Sequence, residues 1–223
     1  MWSSFLEIQD KLIEALRETA FMTLTSLLLA VIFGIGLGLV LYITNEPLLS
    51  KNTLVYEVVG FIANMISSIP FLILMIFLLP LSAVIVGTKI GSKAVIVPLA
   101  IAATAFFARL AEASFSDVDK GVLEAVIASG AKKSHIIFKI VLPEARVSLI
   151  KNITVTAITV LGFSAMAGLV GGGGIGDLAY RYGYQRYKKE VMIICVLLLI
   201  ILVQLVQTIG DLTVRSVNRV RKG

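Results

Sequence analysis

The residues able to do chemistry in this chain gather in a few places. The largest is a polar stretch over residues 124–145, EAVIASGAKKSHIIFKIVLPEA, lying between long apolar runs. Glu124 offers a charge, Ala125 a small side chain that permits close approach, and Gly130 a sharp turn. That set suits the docking of another protein better than catalysis. A second place is GGGGIGD, residues 171–177, which contains Gly171-x-Gly173-x-x-Gly176. A dinucleotide fingerprint needs a preceding strand, and a P-loop needs Lys and Ser/Thr after its last glycine. Here an apolar run precedes and Asp177-Leu178 follow, so nucleotide chemistry is set aside. The remaining reading is a flexible or closely packed helix end. A third, AYRYGYQRYKKE, interleaves Tyr180, Tyr182, Tyr184 and Tyr187 with basic residues. Such a pattern could stack on nucleic-acid bases, but beside an apolar run it reads as an aromatic belt at lipid headgroups. His135 has no Cys or second His near it, and Cys195 is the only cysteine. Neither can build a metal cage, and no nucleophile–base pair stands out.

The elements that must position these residues are apolar. The chain has 223 residues, 58% hydrophobic and 15% charged, with mean hydropathy +0.97. No Asp, Glu, Lys or Arg occurs in residues 19–45, 58–88, 152–176 or 191–210. A bilayer core needs about 20 apolar residues per helix, so each run is long enough to cross. A fifth run, residues 94–108, is shorter and is bounded by Lys93 and Arg109. Five transmembrane helices are expected in an all-α membrane domain over residues 20–213. A short amphipathic segment over 1–19, with Phe5, Ile8, Leu12 and Leu16 at helical spacing, would lie on the membrane surface. The start carries no basic cluster, so no cleaved signal peptide is expected. The net charge of +6 sits at helix ends and suits anionic lipid rather than nucleic acid. The basic tail over 214–223, with Arg215, Arg219, Arg221 and Lys222, marks the cytoplasmic side. With five spans the N-terminus is then outside, and the polar stretch is cytoplasmic.

The polar stretch has its own helical logic. Ser116 and Asp119 are spaced like a capping box. Val122, Val126 and Ile127 share a face, and Gly130 is placed to end a first helix. A second helix is expected from Ser134 to Leu142, stopped or kinked by Pro143. Elsewhere, Asn64, Ser67, Ser68 and the bend-forming Pro70 interrupt the second run, either bonding to neighbouring helices or lining a path. The fourth run carries GFSAMAG, with Ser164 and the single large side chain Met166 among small residues that allow close helix approach. Met166 either fills a gap or closes a pore. Gly34 and Gly38 form a packing motif, and Gln204 and Gln207 suit interhelical hydrogen bonds at a subunit interface.

The spacing Glu124-Ala125-Val126, Gly130-Ala131, then Ile140-x-Leu142-Pro143 resembles the EAA loop of ABC importer permeases. Val126 replaces the second alanine common there, and Lys132 stands where Ser or Thr often caps the second helix. The runs SIPFLILMIFLLPLSAVIVGTKIG and GFSAMAGLVGGGGIGDLAYRYGYQRY are similar to those of methionine importer permeases, from about Val58 onward. The resemblance implies a type I ABC importer fold and a homodimer in a bacterial inner membrane. It implies two cytoplasmic ATP-binding subunits docked on the loop over about 112–145, and an extracytoplasmic substrate-binding protein or lipoprotein. ATP and Mg²⁺ would sit on the ATPase, with no cofactor on this chain. It also points to Met166 as part of a gate and to methionine, D and/or L, as cargo, with another small amino acid as the alternative. A gradient-driven carrier or a non-transporting scaffold are the rivals from other classes.

Overall fold

The computed structural model describes the backbone of residues 2–222 and the side chains of residues 9–218. The described residues are mostly helical, with no strand among them. The helices are α1 (Trp2–Asn45), α2 (Thr53–Ser68), α3 (Phe71–Val86), α4 (Ser92–Ser116) and α5 (Lys120–Ala128). They continue with α6 (Lys133–Val170), α7 (Gly174–Leu178) and α8 (Lys189–Lys222).

Four helices are long and apolar enough to cross a membrane, and α2 and α3 pass the same test only together, as a bent pair that makes five if it forms one span. The two pieces meet at 109°, where the sequence suggests one bent span over 58–88. The break has a local cause. A residue before proline is pushed out of the helical region, and Ile69 sits at ψ 127 before Pro70. Pro70 then opens α3, its carbonyl accepting from the Ile73 and Leu74 amides.

Three other boundaries also differ from expectation. The segment over 1–19 is not a separate surface helix. It continues without a break into α1, whose 44 residues span about 66 Å. Leu12 and Ala15 bury against Ile175, Leu178, Val191 and Cys195, so an apolar stripe that could have met lipid meets α7 and α8. The side chains of Phe5 and Ile8 lie outside the described residues, as do those of Arg219, Arg221 and Lys222 in the tail. The short run at 94–108 belongs to a 25-residue helix. Arg109, expected beyond its end, lies inside α4. Glu112 pairs with it at 2.7 Å, so the helix can carry both charges onward to Ser116. The run at 152–176 starts much earlier, since α6 begins at Lys133 and ends at Val170.

Pro143 does not stop α6. A π-helical turn over Ile137–Val141 precedes it, and the Leu142 amide bonds back to the Ile137 carbonyl. The wider turn removes the clash between the proline ring and the preceding turn. One helix therefore runs from the polar stretch through the bundle.

Long-range bonds define two ends. At one, Lys133 Nζ donates to Ser50 Oγ at 2.8 Å, and Tyr42, Leu49, Phe115, Leu123, Ile136 and Val141 share one core. At the other, the Gly91 amide donates to the Gly171 carbonyl at 2.9 Å, and Lys11 Nζ donates to Tyr182 Oη at 2.6 Å. Between them Met22, Leu74, Met75, Leu99, Val160 and Ala167 fill the middle. In α6, Asn152 Nδ2 clamps α4 through the Leu110 carbonyl and Ser114 Oγ.

Candidate functional site

The polar stretch folds as a helix, a turn and a second helix. Asp119 caps α5, its Oδ1 accepting from the Val122 amide at 3.1 Å. Ser116 is not the cap: it closes α4 and donates back to the Glu112 carbonyl. Spacing alone had given Ser116 the capping role, whereas the carboxylate three residues on sits at the actual helix start. Leu123 is buried and pins α5 to Phe115 and Ile136. Gly130 ends the helix at φ +80, a conformation that disfavours side chains. Its amide bonds to the Ile127 carbonyl, and the Ala131 amide bonds to the Val126 carbonyl. This double closure is the Schellman arrangement, and Val126 and Ala131 both pack onto the core beneath.

Glu124, Ala125 and Gly130 are exposed, while Val126, Ala131 and Leu142 are half-buried and Pro143 is exposed. The outward face of α5 thus carries Lys120, Val122, Ala125 and Ala128 around one carboxylate, Glu124. Phe138, 63% exposed, lies on the π-helical turn that follows. The structure brings Glu124, Ala125, Val126, Gly130 and Ala131 together, with Leu142 and Pro143 on the helix that follows. One continuous helix, with the π-helical turn and Pro143 within it, carries the same segment to Met166, about 50 Å away from Lys133.

The second group of residues lies around the break between α2 and α3. Phe71 stacks on Phe163 of α6 with ring centroids 4.3 Å apart. Asn64, Ser67 and Ser68 are exposed on the α2 side of the break, and Met166 is 47% exposed on α6. Ser164 is placed differently. It is buried, and its hydroxyl donates to the Leu161 carbonyl at 2.7 Å in its own helix. Within this chain it faces the core rather than the Met166 side.

Sequence reading missed a polar network that joins these elements. Arg109 donates from Nε to Asn64 Oδ1 at 2.9 Å, from Nη1 to Glu112 Oε2 at 2.7 Å, and from Nη2 to the Gly60 carbonyl at 3.2 Å. The available signal was the i,i+3 spacing of Arg109 and Glu112, hidden by treating Arg109 as the end of a span.

At the opposite end, the glycine-rich segment packs closely against α1. The amide of Gly174 donates to Glu18 Oε2 at 2.7 Å, and that of Ile175 to Thr19 Oγ1 at 2.9 Å. The chain's own α1 therefore satisfies the amides at the start of α7. Asp177 and Arg181 form an ion pair there, and that hydrogen bond raises the arginine pKa. The Lys11 hydrogen bond lowers the Tyr182 pKa, and Arg186 lies 4.3 Å over the same ring.

The comparisons with known proteins agree with this architecture. The family described as binding-protein-dependent transport system inner membrane component matches residues 30–219. The chain is 42% identical over 209 residues to the probable D-methionine transport system permease protein MetI of Vibrio cholerae, covering 94% of this chain and 93% of that protein. It is 44% identical over 179 residues to the methionine import system permease protein MetP of Bacillus subtilis, covering 80% and 81%. A solved inward-facing structure of the MetNI methionine ABC transporter superposes with a TM-score of 0.92 at 41% identity, covering 95% of this chain and 98% of that one. The broken α2–α3 crossing, the α4–α6 clamp and the helix–turn–helix at α5 all lie inside the matched residues. This chain belongs to the inner membrane component family of binding-protein-dependent transport systems, and is a multi-pass transport permease of the inner membrane.

Proposed function

We propose that this chain is the membrane subunit of an ATP-driven importer of methionine, D and/or L. It works as a homodimer around a central path. A cytoplasmic ATP-binding subunit docks on α5 of each copy, and an extracytoplasmic substrate-binding protein delivers cargo at the end formed by residues 171–188. ATP and Mg²⁺ belong to the ATPase, not to this chain. The observation that carries the reading is the exposed α5, closed by Gly130 and joined through α6 to Met166. A push or pull on α5 is transmitted along one continuous helix to the other half of the membrane. Methionine rests on the relatives at 42% and 44% identity.

Dimerisation is supported by α8. Gln204, Gln207, Thr208 and Asp211 recur on one exposed face of a membrane-spanning helix. Amides avoid hydrocarbon and bond across helix interfaces, and glutamine can both donate and accept to its own copy. The path is supported by Asn64, Ser67 and Ser68, polar side chains left exposed in a bilayer-spanning region.

Reconstituted with the ATPase and binding protein in vesicles, the chain should take up labelled methionine only when ATP is supplied. Uptake of a different small amino acid in preference to methionine would reassign the cargo. Absence of any ATP-dependent uptake would end the importer reading. Replacing Met166 with Ala should raise passive leak severalfold without lowering ATPase activity; unchanged leak and transport would make Met166 a packing residue. Tags on the two termini should be accessible from opposite faces, the C-terminal one from the cytoplasm. Access to both from one face would contradict five crossings.

A further inference from the structure

Between α2 and α4, in the half of the bundle nearest α5, lies a groove of about 710 Å³. Its walls include Tyr56, Glu57, Phe61, Ile62, Asn64 and Arg109. Asn64 is eleven residues into α2, about 16 Å from its start, so the groove reaches well inside the membrane-spanning region. A charged head at that depth cannot be left to acyl chains; such groups face a water-filled path or the bundle interior. The Arg109 side chain is 29% exposed and lines this groove.

Its bonding is unequal. Glu112 on Nη1 is a charged partner, whereas Asn64 on Nε, the Gly60 carbonyl on Nη2 and the nearby Tyr56 hydroxyl are neutral partners. A carboxylate forms charge-assisted and often two-pronged bonds with arginine, about twice as strong as neutral ones. An arriving carboxylate can therefore displace the Asn64 amide and take the fork. The freed Asn64 oxygen and the Glu57 carboxylate are then acceptors for an ammonium group. Phe61 and Ile62 offer apolar surface for a side chain. That combination matches the three parts of a zwitterionic α-amino acid with an apolar side chain. Glu112 stays bound throughout and offsets the arginine charge, which keeps the hold weak. A transport path needs such weakness, because cargo held tightly would not leave.

We propose that Arg109 and Asn64 form a transient subsite for the α-carboxylate of the amino-acid cargo, on the inner half of its path. This rests on the importer reading above. The rival is a purely structural one, in which Arg109 only fastens α2 to α4.

The test uses the whole permease–ATPase complex in vesicles and photo-methionine, a diazirine analogue of methionine, with labelled peptides mapped by mass spectrometry. Label should appear on the peptides carrying residues 56–64 and 109. Excess methionine should suppress it, and methioninamide, which lacks the carboxylate, should not. Arg109→Gln should cut the label about tenfold, roughly the worth of one charge-assisted hydrogen bond. Asn64→Asp separates the two roles: it places a carboxylate against Arg109, which strengthens a fastener but blocks a subsite. The proposal expects that variant to be stably assembled and to lose label and uptake together. Normal uptake by Asn64→Asp, label elsewhere, or equal competition by methioninamide would overturn the subsite while leaving the importer reading standing. If the unaltered complex imports no methionine with ATP and binding protein present, both fall.

Discussion

Gly176→Ala is expected to abolish accumulation of the protein in the membrane. A Cβ at that position would stand 2.6 Å from the carbonyl carbon of Ala165 and closer still to its oxygen. The obstacle is backbone, not the end of a flexible side chain, so α7 and α6 would have to separate. The same crossing is tight from the other side, where a Cβ on Gly168 would lie 2.8 Å from Asp177 Cα. Overpacking usually costs about 1–3 kcal/mol and sometimes more. With backbone on both sides, the upper end or beyond is expected here. Separation would also pull the Gly174 and Ile175 amides away from Glu18 and Thr19, leaving buried donors without acceptors. Gly162→Ala is the control. It lies on the same helix with nothing within 4 Å of an added methyl, and alanine in a mid-helix position is favoured over glycine by about 0.5–1 kcal/mol. Membrane-fraction yield and thermal unfolding in detergent, compared for the two variants, give the result. Near-normal yield and melting for Gly176→Ala would mean that α6 and α7 do not pack this closely.

The second large effect is expected at the opposite end and should spare the fold. Gly130→Pro combined with Glu124→Arg should leave the permease in the membrane but free of its ATPase. Proline is held near φ −65°, whereas Gly130 sits at +80, and proline has no amide to give the Ile127 carbonyl. The end of α5 must therefore unwind. The damage stays local, because Leu123 and Ile136 still pack on Phe115 and the membrane-spanning helices do not depend on this turn. Glu124→Arg alone reverses the one carboxylate on the exposed face of α5 and should weaken association about tenfold, or about 1.4 kcal/mol. Co-purification of the ATPase with each variant, normalised to permease recovered, measures both. Full retention of the ATPase by the double variant would remove α5 as the docking surface.

The single residues differ in how readable they were. Gly130 and the short helix it ends were visible because a left-handed turn is local, decided by a residue and its near neighbours; the cap was misplaced by three residues, from Asp119 to Ser116. Pro70 was visible as a bend, but not as a 109° break, since the angle depends on what α3 packs against. From sequence alone Pro143 reads as a stop or a kink. Proline does end helices in isolation, but a π-helical turn accommodates it here because the helix on either side is held by Ile136, Val141, Ala145 and Leu149 in one core. Ser164 and Met166 lie two residues apart and were grouped together; helical rotation puts one in the core and leaves the other exposed.

By itself the sequence determined the all-α membrane class, the helix–turn–helix and the family, because hydrophobic run length and motif spacing are properties of the chain. Only the tertiary structure decided the rest. It joined the N-terminal segment to α1, closed α4 over Arg109 and Glu112, and gave the glycine-rich segment a carboxylate from α1, 156 residues away. Those outcomes depend on which faces meet. A charge in an apolar run looks like a boundary until a carboxylate three residues on neutralises it and an amide from another helix accepts its hydrogen bond.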